Sequence, residues 1–213
     1  MRIIVTRPQH DVTTRYLAGW AEEIIDLARK KGVTVIDLNK DKANKDGFVG
    51  RMKKVQPELV FLNGHGGDNC VCGHDNEQLV KSGENHNVLK DKVTYALSCN
   101  SGKTLGEQVA KNRNTTYIGY KDEFIFISDD RYVTRPLEDP RAKPFRESSN
   151  QVMISLLKGK TAQEASEKSK EKFNKCRIEM LSSGSDSDSL QAAQFLWWNG
   201  RNQVCLGDTE ARL

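Results

Sequence analysis

Short, almost unbroken apolar runs recur through the first 120 residues, separated by segments of helical periodicity. Runs at 2–6 (RIIVT), 33–38 (VTVIDL), 59–63 (LVFLN), 93–97 (VTYAL) and 115–119 (TTYIG) predict strands. Between the first two, Leu17, Trp20, Ala21, Ile24 and Ala28 follow helical spacing. Asp11 or Thr13 caps that helix, and Lys30, Lys31 and Gly32 mark its end. A weaker helix carries Phe48, Met52 and Val55 on one face and stops before Pro57. This β-α-β-α-β order, with strands too apolar to face water on either side, predicts an α/β fold. Its form is a mostly parallel central sheet between two layers of helices.

The later pattern is less regular. Residues 68–91 are polar and read as a loop or small hairpin. Residues 103–111 look helical, and 124–127 (FIFI) form another short apolar run. Residues 128–145 read as a long charged loop with Pro136, Pro140 and Pro144 and almost nothing to bury. A helix is expected at 147–157, and a second opens at the capping box Thr161–Glu164, placing Ala165, Phe173, Cys176 and Met180 on one side. Residues 182–189 (SSGSDSDS) have the composition of a flexible linker. A last apolar helix at 190–198, with Trp197 and Trp198 packed on the core, precedes a final strand at 204–206. The chain reads as a single domain: a sheet core at 1–127, the loop at 128–145, and C-terminal helices with a last strand at 146–213.

Charge and cysteine content narrow the function classes. The net charge of +4 comes without any long Lys/Arg run. Lys40, Lys42 and Lys45 alternate with Asp41 and Asp46, as on a solvated face, so no nucleic-acid partner is expected. No stretch approaches the length of a membrane span, and the N-terminus lacks the apolar core of a signal peptide, so neither a membrane partner nor export is expected. Five cysteines, an odd number without framework spacing, fit a reducing compartment and a cytoplasmic protein.

Two of the apolar strands end in chemistry. The run at 59–63 leads into Gly64-His65-Gly66-Gly67, and the run at 93–97 leads into Ser98-Cys99-Asn100-Ser101-Gly102. In open parallel sheets, function gathers at the carboxyl ends of the strands. A cysteine attacks as its thiolate, and a neighbouring histidine takes the thiol proton and later protonates the leaving group. The backbone N–H of Cys99 and that of Gly66 are candidate donors to a developing oxyanion. Cys70, Cys72 and His74 alternate so as to share one face of a strand, and with His65 nearby they are weak candidates for a Zn²⁺ site. The second ligand pair usual in structural zinc sites is absent from the pattern.

The motifs NGHGGD and YALSCNSG together resemble the histidine and cysteine blocks of the clan CD cysteine peptidases, which include caspases, metacaspases, legumains and gingipains. The resemblance covers the order of elements from Met1 to about Tyr120. It implies a caspase-like three-layer α/β/α sandwich, His65 as general acid/base, Cys99 as nucleophile, and an oxyanion hole from the backbone of Gly66 and Cys99. It implies a cysteine endopeptidase that acts on a protein or peptide through a thioester and needs no cofactor. One departure matters: where metacaspases carry an acidic residue two positions before the cysteine, this chain has Leu97. Asp68 and Asp122 are alternative acidic pocket residues, each also readable as an ordinary surface carboxylate. The competing readings are a non-catalytic doubly wound domain that binds a ligand or partner at the same strand ends, and a degenerate peptidase kept as a scaffold. A regulatory partner or a homo-oligomer is compatible with each.

Overall fold

The structure is a computed structural model that describes residues 1–183 and 187–213. Its centre is a six-stranded sheet of β1 (Arg2–Arg7), β2 (Thr34–Asn39), β3 (Leu59–Asn63), β7 (Val93–Leu97), β8 (Thr116–Tyr120) and β9 (Gln203–Gly207), in the order β2-β1-β3-β7-β8-β9. All neighbouring strands are parallel except β8 and β9, which are antiparallel. The protein is therefore α/β with a mostly parallel central sheet.

Alternation along the strands divides the core in two. Ile3, Val5, Leu59, Phe61, Tyr95, Leu97, Ile118 and Tyr120 join one apolar cluster; Ile4, Val60, Leu62, Ala96 and Tyr117 join the other. The first is covered by α1 (Val12–Lys30), α4 (Lys143–Leu156), α5 (Ala162–Ser183) and α6 (Ser187–Asn202), through side chains such as Trp20, Phe145, Phe173 and Leu196. The second is covered by α2 (Lys45–Val55) and α3 (Thr104–Ala110), through Phe48, Met52, Leu105 and Val109. Helices thus lie on both faces, and each large side chain buried this way contributes about 1.5–3 kcal/mol. Among the described residues no helix is long and apolar enough to cross a membrane.

The structure sharpens or corrects several expectations. Of the loop or small hairpin expected at 68–91, the hairpin is present: β5 (Cys70–Cys72) pairs antiparallel with β6 (Gln78–Lys81), and β4 (Gly66–Gly67) extends it to a separate three-stranded sheet. Val71, Leu79 and Val80 anchor it in the cluster beneath α2 and α3. The FIFI run is not a strand. Asn199 takes both backbone groups of Ile125, accepting from its N–H at 3.0 Å and donating to its carbonyl at 2.7 Å, so no ladder forms.

The 128–145 segment also buries more than its composition suggests. Asp139 is fully buried and accepts from the Tyr16 hydroxyl at 2.6 Å and from the N–H groups of Asp129 and Arg141 at 2.8 Å. Val133 and Leu137 pack against the core. Trp197, finally, is exposed beneath the Arg201 guanidinium, because the buried side of α6 is Ala192, Ala193, Leu196 and Asn199. The proposed linker at 182–189 is helical at its described ends, within α5 and α6; residues 184–186 lie outside the described residues.

Candidate functional site

β3 and β7 are adjacent and parallel, with Asn63 opposite Leu97. His65 and Cys99 each lie two residues beyond that pair, at the same edge of the sheet. The two loops are joined by backbone. The Ser98 hydroxyl donates to the His65 carbonyl at 2.9 Å, and the Cys72 N–H donates to the same carbonyl at 2.8 Å. The glycines beside His65 allow this approach. Gly64 has a φ of +143°, and a Cβ there would lie 2.3 Å from the Cys72 carbonyl oxygen. A Cβ at Gly66 would lie 2.0 Å from the Ser98 hydroxyl oxygen and 2.7 Å from the Cys99 carbonyl oxygen.

Both side chains turn to the face covered by α1. The His65 Nε2 lies 2.5 Å from Oδ2 of Asp11, the residue that caps α1. Asp11 serves both tasks with separate oxygens, since its Oδ1 accepts from the Thr14 N–H at 2.7 Å. Partial burial pushes this carboxyl up, but the Thr14 N–H and His65 outweigh it and bring it down to about 2. The capping role was readable from the sequence. The contact with His65, 54 residues away, had no signal in it.

Cys99 packs against the same apolar cluster that α1 covers. Its sulfur accepts from the Phe124 N–H at 3.3 Å. Burial pushes the thiol up; the Phe124 N–H opposes this, and the nearby carboxylates Glu123 and Asp122 reinforce it. The turn after Cys99 is set by Asn100, in the left-handed region at φ +58°, whose N–H donates to the Asp122 carbonyl at 3.0 Å. Burial therefore favours the thiol over the thiolate, and the half-buried sulfur lies against Phe124 in the segment that follows β8.

The expected pocket residues are dispersed. Leu97 is fully buried in the core, so its side chain offers no specificity surface. Asp68 is exposed and pairs with Lys103 at 3.4 Å. Asp122 accepts from the Glu123 N–H and sits near the cysteine. A cleft of about 800 Å³ opens instead beside α1, lined by Gln9, Arg15, Glu22, His74, Arg135 and Glu138 among others. Residues 133–138 form one wall of it.

The cysteine metal set is not assembled. Cys70 is buried and its sulfur accepts from the Gln78 amide at 3.7 Å, while burial and Cys70 push the Cys72 thiol up to about 12. His74 turns away from them toward His10, with ring centroids 5.4 Å apart. Neither His10 nor Asp11 stood out in the sequence as a site residue. In comparisons with known proteins, no family model and no curated sequence matches the chain.

Proposed function

We propose that this protein is a caspase-like, clan CD-type cysteine endopeptidase. The observation that carries the reading is the placement of His65 and Cys99 two residues beyond adjacent parallel strands, at one edge of the sheet, with their loops joined through Ser98. Asp11 adds a third member. With Nε2–H donated to the carboxylate, the His65 lone pair is on Nδ1, the state needed to accept the thiol proton. Cys99 would then attack a peptide carbonyl, the imidazolium would protonate the departing amine, and water would hydrolyse the thioester.

The resting arrangement fits a gated enzyme. The thiol is half-buried, burial disfavours its thiolate, and its sulfur accepts from the Phe124 N–H, so residues 124–127 would shift as substrate enters.

The test is labelling with a peptide-based electrophilic probe of the wild type, Cys99→Ala and His65→Ala. Labelling is expected in the wild type, absent in Cys99→Ala and strongly slowed in His65→Ala. Labelling that persists in Cys99→Ala, or an unreactive wild type under metal-free conditions, overturns the assignment.

A further inference from the structure

Three of the four histidines in the chain gather at one point of the surface, although they are far apart in sequence. His10 lies between the other two, with ring centroids 5.8 Å from His65 and 5.4 Å from His74. Its Nε2 is 3.6 Å from Asp11 Oδ2, the same oxygen that His65 Nε2 approaches at 2.5 Å. One ligand atom from each of His10, Asp11 and His65 therefore falls within 4.8 Å of the others. The His10 side chain is only 11% exposed; its Nε2 also meets Asn76 Oδ1 at 3.3 Å, a contact the ion would replace, and its Nδ1 is buried with no hydrogen-bond partner among the described residues.

We propose that His10, Asp11 and His65 form a binding site for a divalent transition metal of the zinc class, and that the ion holds the peptidase inactive. Two imidazole nitrogens and one carboxylate oxygen are a donor set that suits Zn²⁺ and leaves its fourth position open. In a tetrahedral site the ligand atoms stand roughly 3.3 Å apart. The His10–Asp11 spacing already matches this, and the His65–Asp11 contact has to open by on the order of an ångström as the ion replaces the shared proton. The carboxylate is braced for the task by the Thr14 N–H on its other oxygen, and the His65 backbone is fixed by two hydrogen bonds to its carbonyl.

The inhibition rests on the peptidase reading and follows from the tautomer. An ion on Nε2 takes that nitrogen's lone pair and leaves the imidazole proton on Nδ1. The ring then has no free lone pair with which to accept the Cys99 proton. The metal site and the dyad compete for one imidazole, and the sulfur is not a ligand. This differs from the Cys70, Cys72 and His74 set that spacing alone suggested.

The experiment has two arms. In the first, Zn²⁺ and Co²⁺ are titrated into the metal-free full chain by calorimetry and visible absorption, for the wild type and for Cys99→Ala, His10→Ala, His10→Gln and His65→Gln. One ion per chain is expected, with a Co²⁺ spectrum free of a thiolate charge-transfer band. Affinity should be unchanged in Cys99→Ala and at least tenfold weaker in the histidine variants, with circular dichroism reporting their folding. Unchanged affinity in a folded histidine variant, or a thiolate band, overturns the site.

In the second arm, probe labelling of Cys99 is followed with and without Zn²⁺. Zinc should suppress labelling in the wild type, and suppression should be relieved in His10→Ala. Binding without suppression overturns the inhibitory role. An unreactive metal-free enzyme sinks the peptidase reading, while the titration still decides the site.

Discussion

Asp11 and His65 meet at 2.5 Å across two elements that share no local sequence, one the cap of α1 and the other the residue beyond β3. Asp11→Asn separates the two duties of this residue. Asparagine caps a helix as well as aspartate, so the helix start should hold, and stability at neutral pH should fall by on the order of 1 kcal/mol as the charged contact with His65 is lost. The charge that fixes the imidazole is lost, however, and probe turnover should fall roughly 10- to 100-fold, short of the ~10²–10⁴ expected for loss of the imidazole itself. Denaturant melts beside labelling rates check both halves.

The same carboxylate sets an acid limit. Its value in the folded protein, about 2, lies below the ordinary 3.8, so its stabilisation is fully present above the ordinary value. That stabilisation is lost as pH falls from about 4 through about 2. Wild-type stability measured over this window should drop more steeply than that of Asp11→Asn; parallel curves would refute the linkage.

Cys99 gives a pH signature of opposite sense. Its thiol is raised by burial, so alkylation by a small neutral reagent should stay slow at neutral pH and keep rising above pH 9, the ordinary thiol value. A plateau at or below neutral pH would mean a resting thiolate and would contradict the buried arrangement.

Gly66→Ala tests the joint between the two loops. The added methyl meets the Ser98 hydroxyl and the Cys99 carbonyl, one of which is backbone and cannot swing aside. A loss of about 1–3 kcal/mol is expected, together with reduced labelling, because the strain falls on the cysteine turn itself. Unfolding curves that overlay the wild type would show that the loops are not so closely joined.

Asp139→Ala addresses the loop. It removes the buried acceptor for Tyr16, Asp129 and Arg141, and leaving such groups unpaired costs about 1–3 kcal/mol each. Limited proteolysis should then cut within 128–142 far faster than in the wild type. Cleavage that is also faster in the wild type than in Cys99→Ala would indicate self-processing.

The central strands were legible because strands covered on both faces are apolar without interruption, as in LVFLN and VTYAL. Their order in the chain also placed His65 and Cys99 at the same edge. Of the small sheet only the possibility of a hairpin was legible, since β4 and β5 have only two and three residues, too few to show a period. FIFI, an apolar run of strand composition, stays outside the sheet because the side-chain amide of Asn199 occupies both backbone groups of Ile125. The histidine cluster left no trace either. His10 and His74 each sit in a polar stretch, and only the packing of the small sheet against the loop after β1 brings them together.

The Phe124 N–H on the Cys99 sulfur bears on the choice of inhibitor. Any electrophile must first free the sulfur from residue 124, a toll that is the same for a small reagent and a long one. A compact warhead has few contacts from which to recover it. An extended peptide that also contacts the surrounding surface has many. Potency should therefore climb with ligand length out of proportion to warhead reactivity, and screens restricted to fragment-sized electrophiles would pass this cysteine over.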